Sequence, residues 1–320
     1  MIPYVLVLAG LILLYYGAEW LVDGGAKLAL RLGVSPLFVA MTIMAYGTSA
    51  PELMIGIRAA IDGSGDIAVG NVVGSNIFNI AAALGIAALI CPLPVGKKLY
   101  RFELPVTVLA SLLVGFFLMR DDTIHITEGL IFLSIFAGCV AYSLINAKRG
   151  SGAAVDTPAE AAETADVRKN SVVKCVALII VGLATVVGGA DLLVRGAVAL
   201  ARSWGVTETL IALTIVAAGT SLPELVITAM AAFKKQHDIA VGNIVGSCIF
   251  NILCILGIVG VMKPVPANDI TTLDVSLMIA LAAALLFIPL LTKRTLTRWT
   301  GGMFLGIYVT YVVILCVKAM

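Results

Sequence analysis

Gly47-Thr-Ser-Ala-Pro-Glu-Leu53 and Gly219-Thr-Ser-Leu-Pro-Glu-Leu225 are nearly the same phrase, written twice with an offset of 172 residues. A second phrase follows each copy at that offset: Gly70-Asn-Val-Val-Gly-Ser-Asn-Ile-Phe-Asn79 and Gly242-Asn-Ile-Val-Gly-Ser-Cys-Ile-Phe-Asn251. Between 42–80 and 214–252, 25 of 39 positions are identical without a gap. Apolar segments resemble one another by composition alone, but chance does not preserve Thr, Ser, Glu and Asn in register. The chain is a duplication.

Both copies sit in apolar surroundings. Of 320 residues 61% are hydrophobic and 12% charged, with a mean hydropathy of +1.08, against about 25% charged in a soluble domain. Too few polar groups remain to cover a water-soluble globule. The net charge of +2 offers no basic face for nucleic acid. Six scattered cysteines (Cys91, Cys139, Cys175, Cys248, Cys254, Cys316) show no zinc-ligand spacing and read as small apolar residues inside helices. Apolar runs near the length of about 20 residues that spans a bilayer predict ten helices, over 2–28, 36–60, 67–90, 103–119, 125–146, 172–201, 207–233, 239–262, 272–292 and 298–319. The opening stretch lacks a basic n-region and a cleavage site, so it reads as a retained first span.

The expected fold class is therefore an all-α membrane protein of ten transmembrane helices, with broken helices at an ion site. Residues 1–146 would form one five-helix repeat and 172–320 the other. The small, polar and charged stretch 147–171 between them has a linker's composition. Five spans is an odd number, so the second repeat must be inverted relative to the first. Inverted repeats place a transporter's site at mid-membrane where they meet. With ten spans, 15 of the 21 Lys and Arg fall on one side, which the positive-inside rule makes cytoplasmic. The linker is then cytoplasmic and both termini are extracellular.

Two carboxylates, Glu52 and Glu224, lie inside apolar spans with no Lys or Arg in the same helix core. An unpaired charge at that depth costs about 2.5–3.5 kcal/mol or more and marks function. Pro51 and Pro223 have no amide proton, so each frees the carbonyl four residues back, at Gly47 and Gly219. Both helices should break just before the carboxylates, and freed carbonyls in a membrane line cavities or bind ions. Thr48 shares a helix face with Glu52, and Thr220 with Glu224. On the following helices Ser75 pairs with Asn79, and Ser247 with Asn251, at the same spacing. Carboxylates, hydroxyls, amide oxygens and bare carbonyls suit a hard cation such as calcium. Soft metals would want Cys or His, and His125 and His237 fall in loop regions. Gly70/Gly74 and Gly242/Gly246 read as close-packing G-x-x-x-G pairs.

The two phrases, recurring in inverted halves, resemble the α-repeats of the sodium/calcium exchanger family within the calcium/cation antiporters. The resemblance covers the whole ten-helix layout. It implies alternating access, with sodium driving calcium through shared sites, no enzyme activity and no cofactor. It also implies Glu52 and Glu224 as calcium ligands, with Thr48 and Thr220 contributing backbone oxygens. Sodium sites would add Ser49, Ser75, Ser221 and Ser247 and the carbonyls of Ala45 and Ala217, with Asn79 and Asn251 beside the central position. Some relatives carry Asp where this chain has Asn251, so the centre here holds two carboxylates and the case for potassium cotransport weakens. The proton-coupled branch generally has G-N-x-x-E at the first motif, which favours sodium here and keeps a proton/calcium antiporter of the same fold as the alternative.

Other readings fail on their own chemistry. Gly63-Ser-Gly-Asp66 matches the G-x-G-D pattern of intramembrane aspartyl proteases, but no Tyr-Asp supplies the second acid, and Gly, Ser and Asp are ordinary turn residues. A serine protease would need a histidine base within a span. A passive channel needs a continuous pore, whereas ligands crowded at one level suit occlusion. The expected partners are calcium, a counter-cation and the lipid bilayer, with no nucleic acid, for a monomer in a prokaryotic plasma membrane.

Overall fold

The structure, a computed structural model, describes residues 2–147, 171–206, 211, 215 and 217–318. Of the expected linker only Ala147 and Ser171 are described, and the start of the expected span 207–233 also lies outside the described residues. Among the described residues every regular element is helical apart from four two-residue strands. In order come α1 (Ile2–Leu32), α2 (Pro36–Thr48), α3 (Ala50–Asp62), α4 (Gly65–Ile90), α5 (Leu99–Asp121), α6 (Ile126–Ala147), α7 (Val172–Ser203), the short α8 (Ala217–Gly219), α9 (Leu222–Phe233), α10 (His237–Met262), α11 (Thr272–Leu291) and α12 (Arg298–Lys318). Eight of these are long and apolar enough to cross a membrane, and α2 with α3, bent by 45°, makes a ninth.

The interior is built from α4 and α10, which carry the G-N-x-x-G-S phrases and are buried along most of their length. Large apolar side chains on the outer helices, among them Phe116, Ile145 and Val313, face outward, as lipid-facing surfaces require. Both inner helices widen into π-helical turns at equivalent places, Phe78–Leu84 and Phe250–Leu256. Such turns cluster at functional sites and shift the side chains that follow them around the helix.

A glycine seam joins the first helices of the two halves. Gly10, Gly17 and Gly24 of α1 recur every seventh residue and return at the offset of 172 as Gly182, Gly189 and Gly196 of α7. The two helices run antiparallel along this seam: a Cβ on Gly17 would stand 2.8 Å from the Val186 nitrogen, and one on Gly189 2.9 Å from the Leu14 nitrogen. Small residues allow this backbone approach, which is what drives helix association where lipid and side chain are equally apolar.

Short antiparallel strand pairs tie the halves at their ends. β1 (Leu93–Pro94) pairs with β4 (Thr295–Leu296), and β2 (Thr123–Ile124) pairs with β3 (Val265–Pro266). The loop before α5 thus meets the loop after α11, and the loop after α5 meets the loop before α11.

Candidate functional site

The breaks expected from the two prolines are present. After α2 the chain turns at Ser49 (φ −83°, ψ 9°) and resumes as α3 with Pro51 in its first turn. Its counterpart turns at Thr220 and Ser221 (φ −91°, ψ 6°) before α9, again with the proline, Pro223, in the first turn. A proline there removes an amide that would have no helical partner, while its ring blocks continuation from the preceding segment. Each break leaves a carboxylate one residue beyond its proline, in the first turn of the new helix.

Glu52 and Glu224 are fully buried, as are Thr48, Ser49, Ser221, Ser247, Asn79 and Asn251; Ser75 is 5% exposed. The hydrogen bonds cross between the halves. Ser49 Oγ of the first break donates to Glu224 Oε1 of the second at 2.8 Å, and Ser221 Oγ donates to Glu52 Oε1 at 3.0 Å. Thr48 lies against Glu224 and Thr220 against Glu52 in the same crossed sense. Ser221 Oγ also lies 3.1 Å from Ser75 Oγ, while Ser247 Oγ reaches Glu224 Oε1 and the Ala45 carbonyl, both at 3.5 Å. That carbonyl further accepts from the Thr48 hydroxyl at 3.1 Å. Ala217 opens the short α8. The structure thus joins Glu52, Glu224, Thr48, Thr220, Ser49, Ser221, Ser75, Ser247 and Ala45 in one contiguous cluster.

Several polar atoms in and beside this cluster lack any partner. They are Glu52 Oε2, Glu224 Oε2, both side-chain polar atoms of Asn79, and Asn251 Oδ1. A buried acceptor left unsatisfied costs about 1–3 kcal/mol, more when charged. Native interiors tolerate such groups chiefly where a ligand or function requires them. Four of these five are oxygens and two belong to carboxylates, the ligand types a hard cation takes. Among the described residues no group of three His, Cys, Asp or Glu could hold a metal, so any cation here relies on two carboxylates and neutral oxygens.

Sequence reasoning missed Asn76 and the partners of Lys234, and left Asn71 and Asn243 without a role. Asn76, replaced by Cys248 in the second copy, accepts from Asn251 Nδ2 at 3.4 Å, so it tethers one predicted residue. Asn71 donates to the Glu52 carbonyl at 3.2 Å, and Asn243 to the Thr228 hydroxyl at 3.2 Å. Lys234, just past α9, reaches Asp23 at 2.7 Å and Glu19 at 3.3 Å on α1. Reading one helix at a time could not find that contact. Asp191 does pair with Arg195 as their spacing suggests, at 2.9 Å. Asp66, expected in the turn between helices, lies instead in the first turn of α4, accepting from the Asp269 amide at 2.7 Å.

The close-packing reading of the G-x-x-x-G pairs holds in the second copy. A Cβ on Gly246 would lie 2.6 Å from the Met41 carbonyl oxygen, and one on Gly242 2.8 Å from Leu37 Cδ1. Gly70 meets only the tip of Ile270 at 3.3 Å, and Gly74 meets no described residue within 4 Å. The position equivalent to Met41 is residue 213, outside the described residues.

A helical bundle that buries an oxygen-lined centre at two helix breaks defines the class, a polytopic membrane transporter. The sequence model for the sodium/calcium exchanger protein family matches residues 2–145 and again 174–317, and the chain belongs to the sodium/calcium exchanger family. It is an integral membrane antiporter of calcium and a counter-cation, not an enzyme. Among its relatives, CaxA of Alkalimonas amylolytica, a proposed antiporter, is 36% identical over 97% of this chain and 98% of its own. The sodium/calcium exchanger MaX1 of Methanosarcina acetivorans is 29% identical over 98% of both chains. Among solved structures, the sodium-calcium exchanger NCX_Mj soaked with 10 mM Na+ and 10 mM Sr2+ superposes with a TM-score of 0.82, at 30% identity over 98% of both chains.

Proposed function

We propose that this chain exchanges sodium for calcium by alternating access, through ten spans arranged as two inverted five-helix repeats, 1–146 and 172–320, joined by the cytoplasmic linker 147–171. The crossed bonding carries the reading: each carboxylate accepts its shortest hydrogen bond from a serine of the opposite repeat, so the site exists only where the halves meet. The strand pairs support the inversion. Helices α5 and α11 occupy equivalent places in the two halves, yet the loop before one pairs with the loop after the other. Equivalent loops then lie at opposite ends of the bundle. Both termini would be extracellular, in a prokaryotic plasma membrane, with a monomer as the transporting unit.

On this reading calcium is bound by Glu52 and Glu224 with Thr48 and Thr220. Sodium uses Ser49, Ser75, Ser221 and Ser247 with the Ala45 and Ala217 carbonyls, and Asn79 and Asn251 complete the centre. A proton needs only a carboxylate. Four serines gathered around two carboxylates are more oxygen ligands than a proton needs and supply what a sodium ion takes, and this favours sodium over the proton-coupled alternative.

The mechanism follows from charge. With both carboxylates ionised the empty centre carries about −2, and burying that charge in the closed intermediate costs several kcal/mol per ion. One calcium ion cancels it, as do two sodium ions, while a third sodium would leave +1. Only loaded sites cross readily, so exchange is obligatory. In proteoliposomes loaded with ⁴⁵Ca²⁺, efflux into medium free of calcium and sodium at clamped voltage is expected to stay at the level of protein-free vesicles, and external sodium should release it. Rapid efflux without a counter-cation would show that the empty centre crosses freely and overturn the mechanism.

A further inference from the structure

The tie between Lys234 and α1 has a counterpart that is undone. Lys234 Nζ lies 2.7 Å from Asp23 and 3.3 Å from Glu19, and Lys27 approaches Asp23 to 3.9 Å. The offset of 172 that aligns the glycine seams of α1 and α7, and the motifs of α3 and α9, carries Asp23 to Arg195 and Lys234 to Asp62. Both members change sign, so the pair stays complementary with its charges exchanged. Yet Arg195 bonds Asp191 one turn back on α7 at 2.9 Å, and Asp62 bonds Arg58 one turn back on α3 at 2.8 Å. Among the described residues no ion pair joins Arg195 to Asp62.

The two faces differ in access as well. Val22 and Thr48, on the Asp23 side, are fully buried. Their equivalents Val194 and Thr220 line a cavity of about 260 Å³ with Asp191, Pro51 and Pro223, between α7 and the two helix breaks. The residues beside the ion pair that is made are buried, and their equivalents beside the pair that is undone line a cavity.

We propose that Asp23–Lys234 and Asp62–Arg195 are alternating latches, each formed in the state that closes its own face of the ion site. The inference rests on the alternating-access reading above and adds residues that determine the transport step without touching the ion. Asp191 and Arg58 hold the released charges of the open latch, and Lys27 is placed to hold Asp23 when the closed one releases. Each of these charges then has an opposite charge to pair with in either state. Exchanging one carboxylate partner for another keeps the two states close in energy, so bound ions can tip the balance. The sign reversal between the halves explains why no motif search finds the pair: only its complementarity is kept.

The test is calcium self-exchange, ⁴⁵Ca²⁺ against unlabelled Ca²⁺, in proteoliposomes, which needs no coupling ion. Asp62→Arg and Arg195→Asp are each expected to slow exchange about tenfold, and the double variant to return within about twofold of wild type. The double variant sets like charges against both Asp191 and Arg58. If these residues act only inside their own helices, the losses add, and a double variant slower than either single one overturns the latch. A second readout does not depend on rates. With the six native cysteines replaced, the pairs Asp23→Cys/Lys234→Cys and Asp62→Cys/Arg195→Cys are each expected to cross-link during turnover, never both in one molecule. Both links in one molecule, or no second link under turnover, overturns the proposal. Absence of self-exchange in the wild type would remove the transport reading itself, which separates that failure from failure of the latch.

Discussion

Glu52→Gln and Glu224→Gln are each expected to bring calcium exchange below detection while the protein still inserts, elutes as a single species and melts no earlier than wild type. The affinity argument is electrostatic. Two unit charges 4 Å apart interact by about 4 kcal/mol at an effective dielectric constant of about 20, and a divalent ion doubles the effect. Removing one of two carboxylates therefore costs at least about three decades in affinity. The stability argument runs the other way. Glutamine keeps the carboxylate's shape and an oxygen to accept from Ser221 or Ser49. Both Oε2 atoms lack partners in the folded protein, so neutralising one relieves a desolvated charge instead of breaking a pair. Exchange assayed beside thermal unfolding in detergent separates the two quantities. Normal exchange in either variant would place the calcium site elsewhere, and loss of folding would make the glutamates structural.

Gly246→Leu is expected to abolish exchange by a different route, through loss of the folded bundle. Even the first carbon of any side chain at Gly246 would stand 2.6 Å from the Met41 carbonyl oxygen, 2.7 Å from Met41 Cα and 2.8 Å from Ala45 Cβ. Two of those atoms are backbone, so α2 must move as a unit away from α10. Overpacking of one or two carbons costs about 1–3 kcal/mol, and four exceed what the contact can absorb. Gly246→Ala tests the milder end. It should fold, lower the melting temperature, and weaken calcium binding, because the Ala45 carbonyl that Ser247 reaches lies on the displaced segment. Gly138 is exposed on α6, and a Cβ there would meet nothing within 4 Å. It supplies the control: Gly138→Ala should leave folding and exchange unchanged. A Gly246→Ala protein as stable and active as that control would contradict the packing account.

Much of this was legible in sequence because the informative residues break local rules. A glutamate in an apolar span and a proline one residue before it are costly anywhere, so Glu52, Glu224, Pro51 and Pro223 stood out, and the helix breaks lie where the prolines place them. The duplication made each signal count twice. What stayed hidden depends on contacts between segments distant in the chain. That Ser49 bonds Glu224 and Ser221 bonds Glu52, not the nearer glutamate of the same segment, is a property of how the halves interlock. Asn76 had no counterpart in the second copy to draw attention to it. Lys234 looked like a loop charge until α1 was seen beside it.

The central claim is that sodium, acting at the same two carboxylates as calcium, drives the exchange. It is tested most directly by ⁴⁵Ca²⁺ uptake into proteoliposomes at clamped voltage, under an outward sodium gradient in one arm and an outward proton gradient in the other. The account predicts uptake with sodium, none above background with protons, and none in either arm for Glu52→Gln. Uptake driven by protons alone would contradict it: the fold and the two glutamates would stand, but Ser49, Ser75, Ser221 and Ser247 would lose their sodium role.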